Sequence, residues 1–166
     1  MVALPDLEGT RKTMSESQIP EFRAGYRYFV DITTRWMDND LYGHVNNVTY
    51  YSYFDTVVNR FLIELGGLDI HQSSVIGVVV ESKCNFSSPL AFPEDIEVGV
   101  RADHVGRRSV RYGLAVFRKG EGQAVATGYF VHVFVDRQTM KPVPLPEQIR
   151  NALERIADSD SAESRP

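Results

Sequence analysis

The sequence predicts an α+β fold: an antiparallel sheet of five to six strands curved around one long central helix. Two observations point there. From His44 to Leu65 the chain carries neither Pro nor Gly, and Gly66-Gly67 closes that stretch off. On either side of it, segments of alternating apolar residues are separated by Gly and Pro at hairpin spacing. Consecutive hairpins make an antiparallel sheet. One mostly apolar helix beside that many strands is best buried by a sheet curled around it.

Residues 1–20 mix Pro, Glu, Ser, Lys and Thr without period and read as a flexible arm. Residues 25–36 alternate, with Tyr26, Tyr28, Val30, Ile32, Thr34 and Trp36 on one face, and form a first strand. An acidic, glycine-containing loop leads into the helix. There Val48, Tyr51, Phe54 or Asp55, Val58, Phe61 or Leu62 and Leu65 recur at helical spacing. Tyr50, Tyr53, Val57 and Ile63 widen the stripe, so the helix is expected to be wrapped on most sides. Asn46 is placed to cap the helix, and Gly66-Gly67 supplies a left-handed stop. About 19 helical residues at 1.5 Å each span roughly 28 Å, the width of a small domain.

Residues 68–74 are a polar connection. A β-branched run from Val75 to Val80, continuing through Cys84 and Phe86 to Ser88-Pro89, is a second strand. Pro93 opens a third, around Ile96 to Ala102. A turn near Gly106 leads to a fourth through Val110, Tyr112, Leu114 and Val116. Gly120-Glu121-Gly122 turns into the last, 123–135, with Phe130, His132 and Phe134 on one face and Val131, Val133 and Val135 on the other. Pro142, Pro144 and Pro146 end regular structure, 147–157 read as a short surface helix, and 158–166 as a solvated tail. The organisation is therefore an arm (1–20), one domain (21–145) and a C-terminal helix with tail (146–166).

At 166 residues and 43% apolar, the chain is one globular domain with a real core. A net charge of −4 supplies no global basic field for nucleic acid. The single cysteine, Cys84, excludes an internal disulfide and a Cys-cluster metal site, and the four histidines show no metal-ligand spacing. No apolar run approaches the ~18 residues of a membrane span. No basic segment followed by an apolar run opens the chain. The expectation is a soluble cytoplasmic protein. A sheet rolled round one helix leaves edges to protect, so a homodimer or homotetramer is expected.

The chemistry concentrates between Trp36 and Asn47. Asp40 lies six residues before Asn46, and a tight turn at Gly43 folds it back toward the helix start. The amino end of a helix carries about half a positive charge and unpaired N–H donors. A carboxylate beside such donors suits hydrolysis of an activated carbonyl: the donors hold the oxyanion, and the carboxylate activates water or attacks directly. On spacing alone Asp40 is equally a turn carboxylate. Asp38 is expected to close the loop through its own backbone amides. Gly43 shapes the backbone, and His44 either packs the loop or shapes the substrate site. Asn46 and Asn47 serve as caps whether or not chemistry follows, and Trp36 belongs in the core or at an interface. Glu81 and Ser82 are exposed strand-end residues before they are site residues. No G-x-S-x-G elbow, phosphate loop or dinucleotide fingerprint is present.

The segment Trp36-Met37-Asp38-Asn39-Asp40-Leu41-Tyr42-Gly43-His44-Val45-Asn46-Asn47, followed by Tyr50, Tyr53 and Phe54, resembles the signature of the hotdog-fold acyl-CoA thioesterases. Within them it is most similar to the 4-hydroxybenzoyl-CoA thioesterase-like group, over roughly residues 22–140. That resemblance implies a hotdog fold and hydrolysis of an acyl-CoA to free acid and coenzyme A. It implies Asp40 as the catalytic carboxylate, as base or nucleophile, and the backbone N–H of Asn47 as oxyanion donor, with Gly43 and His44 in the same loop. It further implies a site at a subunit interface. Trp36, Asn46 and Tyr50 then flank the substrate, and the coenzyme A phosphates lie against basic side chains, for which Arg107 and Arg108 are the candidates. No metal is expected, and no cofactor beyond the coenzyme A of the substrate.

Two other readings compete. A non-catalytic hotdog module binding acyl-CoA or acyl carrier protein has no need of an anionic group beside the thioester, so Asp40 argues against it. A hydratase on the same fold sets Asp and His five apart around Asn-Pro, whereas His44 follows Asp40 by four with no Pro between. The acyl group is open: Tyr42, Tyr50, Tyr51 and Tyr53 suit an aromatic pocket or the core equally.

Overall fold

The computed structural model describes residues 21–157. Its elements run β1 (Tyr28–Thr33), α1 (Asn47–Glu64), β2 (Val75–Phe86), β3 (Asp95–Val105), β4 (Ser109–Arg118), β5 (Ala124–Asp136) and α2 (Glu147–Arg155). The expected arm, 1–20, and tail, 158–166, lie outside the described residues. Five strands form one antiparallel sheet in the order β1-β3-β4-β5-β2. β3, β4 and β5 are joined by the two expected hairpins. β2 leaves that sequence and runs along β5, with Val75 opposite Asp136 and Phe86 opposite Ala126. β1 and β2 are thus the two edges, and α1 connects them. A helix joining opposite edges has to cross the face of the sheet, and this one does.

The crossing makes the core. Tyr50, Tyr53, Phe54, Val57, Val58, Phe61 and Leu62 of α1 are buried, in one cluster with Val98 and Val100 of β3, Leu114 and Val116 of β4, and Phe130 and Phe134 of β5. Gly128 lets the helix approach: a Cβ there would collide with the Phe54 ring and the Lys83 carbonyl. Of the expected stripe, Phe54, Val58, Phe61 and Leu62 are buried, but its two ends are not. Val48, Ile63 and Leu65 are exposed, together with Asp55, Thr56 and Arg60. In the single chain the sheet covers one side of α1 rather than most of it, because five strands curl past only one face.

The helix ends follow the sequence. Asn46 accepts the Val48 N–H on its side chain at 3.1 Å, and Gly67 takes φ +68° past the C-terminus. β1 is shorter than the alternation suggests. Arg35 and Asp38 bend the chain into a 3₁₀ turn at Trp36–Asp38, so Trp36 is 81% exposed instead of lying in the core. On the outer face, Tyr26, Phe29, Ala115, Phe117 and Ala124 form a second apolar cluster. Helix α2 buries Ile149, Ala152 and Leu153, and Ile156 just past it accepts the Ala102 N–H at 2.8 Å. Among the described residues no helix is long and apolar enough to cross a membrane.

Candidate active site

The loop from Arg35 to Asn46 is a small closed structure. The Asp38 carbonyl accepts the Asn46 N–H at 2.8 Å, Asn39 bridges Val45, and the Asp40 N–H donates to the His44 carbonyl at 2.8 Å. The tip is a turn in which the Gly43 N–H returns to the Asp40 carbonyl at 3.1 Å; Gly43 has φ +83°, which glycine adopts without strain. Besides the bond from Tyr53 to Asp38, two outside hydrogen bonds hold the ring down. The Phe92 N–H donates to the Asn39 side chain at 3.0 Å, and the Val45 N–H donates to the Leu90 carbonyl at 2.7 Å.

Asp40 sits at the turn. One carboxylate oxygen accepts the Tyr42 N–H at 2.8 Å, and no cation among the described residues pairs with it. It borders two openings. One is a cleft of about 410 Å³ walled by Asp40, His44, Val45, Asn47, Tyr50, Phe86 and Ser87-Ser88-Pro89. The other is a groove of about 640 Å³ walled by Trp36, Asn39, Asp40, Leu41, Gly43 and Asn46. Asp40 is the residue common to both. The cleft also receives the start of α1. There the Val48 N–H is capped by Asn46, and the Thr49 N–H donates to the Asn46 carbonyl at 2.9 Å, while the Asn47 N–H meets no acceptor among the described residues. A carboxylate and an unused helix-terminal donor therefore border one cleft.

The neighbouring carboxylate is different in kind. Asp38 is 2% exposed. Its oxygens accept from the Arg35 N–H (2.8 Å), Arg35 Nε (3.0 Å) and Nη2 (2.9 Å), and the Tyr53 hydroxyl (2.8 Å). Burial pushes its carboxyl up, but the Arg35 amide, the guanidinium and the Tyr53 hydroxyl outweigh burial and hold it below the usual range. Burial, then the bond to Asp38, raises the Tyr53 phenol, which stays protonated and donating. The local amide that the sequence leads one to expect, the Arg35 N–H, is thus one of the four donors on Asp38.

The structure brings Asp40, His44, Asn47 and Tyr50 to the cleft, and Trp36, Gly43 and Asn46 to the adjoining groove. It does not bring Arg107 and Arg108 there. They lie in the β3–β4 turn, beyond Val105 paired with Val110, whereas the cleft adjoins the opposite end of the sheet, where Phe86 pairs with Ala126. Antiparallel strands of ten or so residues separate those ends by roughly 30 Å. Tyr51 stacks on Phe130, Tyr42 is exposed, and Glu81 takes the Tyr129 hydroxyl, so none of these walls the cleft. Phe86, Ser87, Ser88 and Pro89 escaped the sequence reading as site residues. They reach Tyr50 only because β2 pairs with β5, and no local pattern encodes that. Among the described residues no group of His, Cys, Asp and Glu could hold a metal ion.

A curved antiparallel sheet carrying one long helix, fed by an acidic turn, is the hotdog architecture. The chain belongs to the thioesterase-like superfamily, whose family model matches residues 34–153. It is similar to the PA5185 protein of Pseudomonas aeruginosa strain PAO1, at 52% identity and a TM-score of 0.83, covering 85% of this chain and 99% of that one. The uncharacterized protein YsmA of Bacillus subtilis (strain 168) is 24% identical over 80% of this chain and 89% of its own length. The 1,4-dihydroxy-2-naphthoyl-CoA hydrolase of Synechococcus elongatus is 26% identical over 63% of this chain and 76% of its own length.

Proposed function

We propose that this protein is an acyl-CoA thioesterase, hydrolysing a thioester to a free acid and coenzyme A. The observation that carries the reading is the position of Asp40. An unpaired carboxylate stands where two openings meet, beside the unused Asn47 N–H at the start of α1. A thioester has two arms diverging from one reacting carbon, and this arrangement offers each arm its own opening. The similarity to a hydrolase of an aryl-CoA supports the same class.

As base, Asp40 takes a proton from water while the water oxygen bonds to the carbonyl carbon. The Asn47 N–H holds the oxyanion, the C–S bond breaks, and the thiolate leaves as thiol with that proton. As nucleophile, the carboxylate displaces the thiolate, and water then cleaves the mixed anhydride. Both routes need the same two groups in the same places.

A second copy completes the site. β2 is an edge strand of 12 residues, with Val79 and Val80 exposed, and Trp36, Met37, Leu41, Tyr42 and Val48 are exposed around the openings. An unpaired edge that long is a template for another strand. Antiparallel pairing along β2 carries the partner's β3–β4 turn to the end of the sheet where the cleft lies, roughly 17 Å across at 4.8 Å per strand. Arg107 and Arg108 of the partner subunit then become the phosphate-binding side chains that the chain's own pair cannot be.

The test is free-thiol release from short, long, branched and aromatic acyl-CoAs. At least one is turned over, and Asp40→Asn and Asp40→Ala lose about 10²-fold or more in kcat with fold retained. A wild-type protein inert on every member, or Asp40→Asn at wild-type rate, overturns the reading.

A further inference from the structure

Two carboxylates two residues apart hold opposite positions in this loop. Asp40 accepts one turn amide and faces open space; Asp38 is sealed, with four donor contacts and a depressed pKa. A carboxylate so saturated has no capacity left for proton transfer. What it does have is reach. Its side chain ties the loop to Tyr53, two turns into α1, and its backbone carbonyl ties the same residue to the Asn46 N–H, at the cap of that helix. The segment from Asp38 to Asn46 is therefore pinned to α1 at two heights. Asp40 hangs between them, and Asn47 follows the second pin.

We infer that Asp38 and Tyr53 are positioning residues: together they set the spacing between the Asp40 carboxylate and the Asn47 amide. The catalytic half of this inference rests on the thioesterase reading; the mechanical half stands without it. Arg35 is the lesser partner, because its side chain is 63% exposed and its removal leaves the Arg35 backbone amide and the Tyr53 hydroxyl in place. Tyr53 is buried and supplies the only bond from Asp38 to the body of the helix. Misplacing a reacting group by about 1 Å costs on the order of 10²-fold in rate, so a loosened pin is read in kcat before KM.

The experiment compares Tyr53→Phe, Asp38→Asn and Phe61→Leu. The last is a core change on the same helix that touches neither Asp38 nor the loop. In Tyr53→Phe the amides of Asp40, Gly43 and Asn46 exchange hydrogen about 10-fold faster or more, while Leu114 and Val116 in β4 do not. On the acyl-CoA that the wild type turns over best, kcat falls about 10-fold with KM within about 2-fold, and Asp38→Asn falls about 10²-fold. Phe61→Leu lowers the melting temperature but leaves loop exchange and kcat unchanged. Wild-type loop exchange in Tyr53→Phe overturns the inference, and so does an equal fall of kcat in Phe61→Leu. A wild type inert on all thioesters, with loop exchange still dependent on Tyr53, sinks the thioesterase reading and leaves the pin standing.

Discussion

His132 is the residue most at odds with its surroundings. It is 2% exposed, between the rings of Tyr112 and Phe130, and neither ring nitrogen has a hydrogen-bond partner among the described residues; the Tyr112 hydroxyl is likewise unpaired. Burial lowers its pKa from 6.5 to about 4. Between those values the unfolded chain binds a proton that the folded chain refuses, so stability falls as pH drops through 6.5 and the loss levels off below about 4. From pH 7 to pH 5 this amounts to about 2 kcal/mol. His132→Phe is expected to flatten urea-unfolding stability by that amount over the same interval; an unchanged slope would show that the imidazole is hydrated or paired. The alternation of β5 already put His132 on the face shared with Phe130 and Phe134. Its lack of partners was illegible, because hydrogen-bond satisfaction depends on what α1 and β2 bring to that face. Asp38 teaches the same point: the loop motif marks it, but its bond to Tyr53 spans 15 positions.

At the scale of elements, α1 was the most legible part of the chain. The cap at Asn46, the stop at Gly67 and the length follow from local rules that operate within a turn or two. Asn46→Ala removes the acceptor for the Val48 N–H and is expected to cost about 1 kcal/mol, lowering the melting temperature by roughly 3 °C. A larger loss would mean that Asn46 also supports the 38–46 ring. Which face of α1 is buried was less legible. With apolar residues on most sides, periodicity alone put Val48 and Leu65 in the same stripe as Phe54, Val58 and Phe61. The sheet's position buries Phe54, Val58 and Phe61 and leaves Val48 and Leu65 exposed instead of in the core. β1 was overextended for a related reason: the alternation runs on through Trp36, but the Arg35–Asp38 capping bonds end the strand first.

For the whole molecule, the proposed pairing of a second copy along the exposed β2 edge, completing the site around Asp40, makes its own predictions. Val80→Lys, on a side chain 59% exposed in the bulge of β2, is expected to yield a monomer by light scattering and to reduce turnover with it. A monomeric wild type, or a fully active monomeric variant, would refute the shared site. On the proposed dimer, Arg107→Ala with Arg108→Ala is expected to raise KM for acyl-CoA several-fold and to leave a truncated thioester lacking the nucleotide unaffected; equal effects on both substrates would remove the phosphate role. Local rules read along the chain suffice for the class of fold, the helix with its two ends, five strands and the loop that holds Asp40, because periodicity, capping and turn chemistry act between near neighbours. The folded chain is needed to know that β2 pairs with β5, that Ser87 to Pro89 wall the cleft, that Arg107 and Arg108 stand at the far end of the sheet, and that Asp38 is pinned to Tyr53. Each of these is a contact between residues distant in the chain, and its energy comes from burial and pairing that exist only once the sheet has closed over the helix.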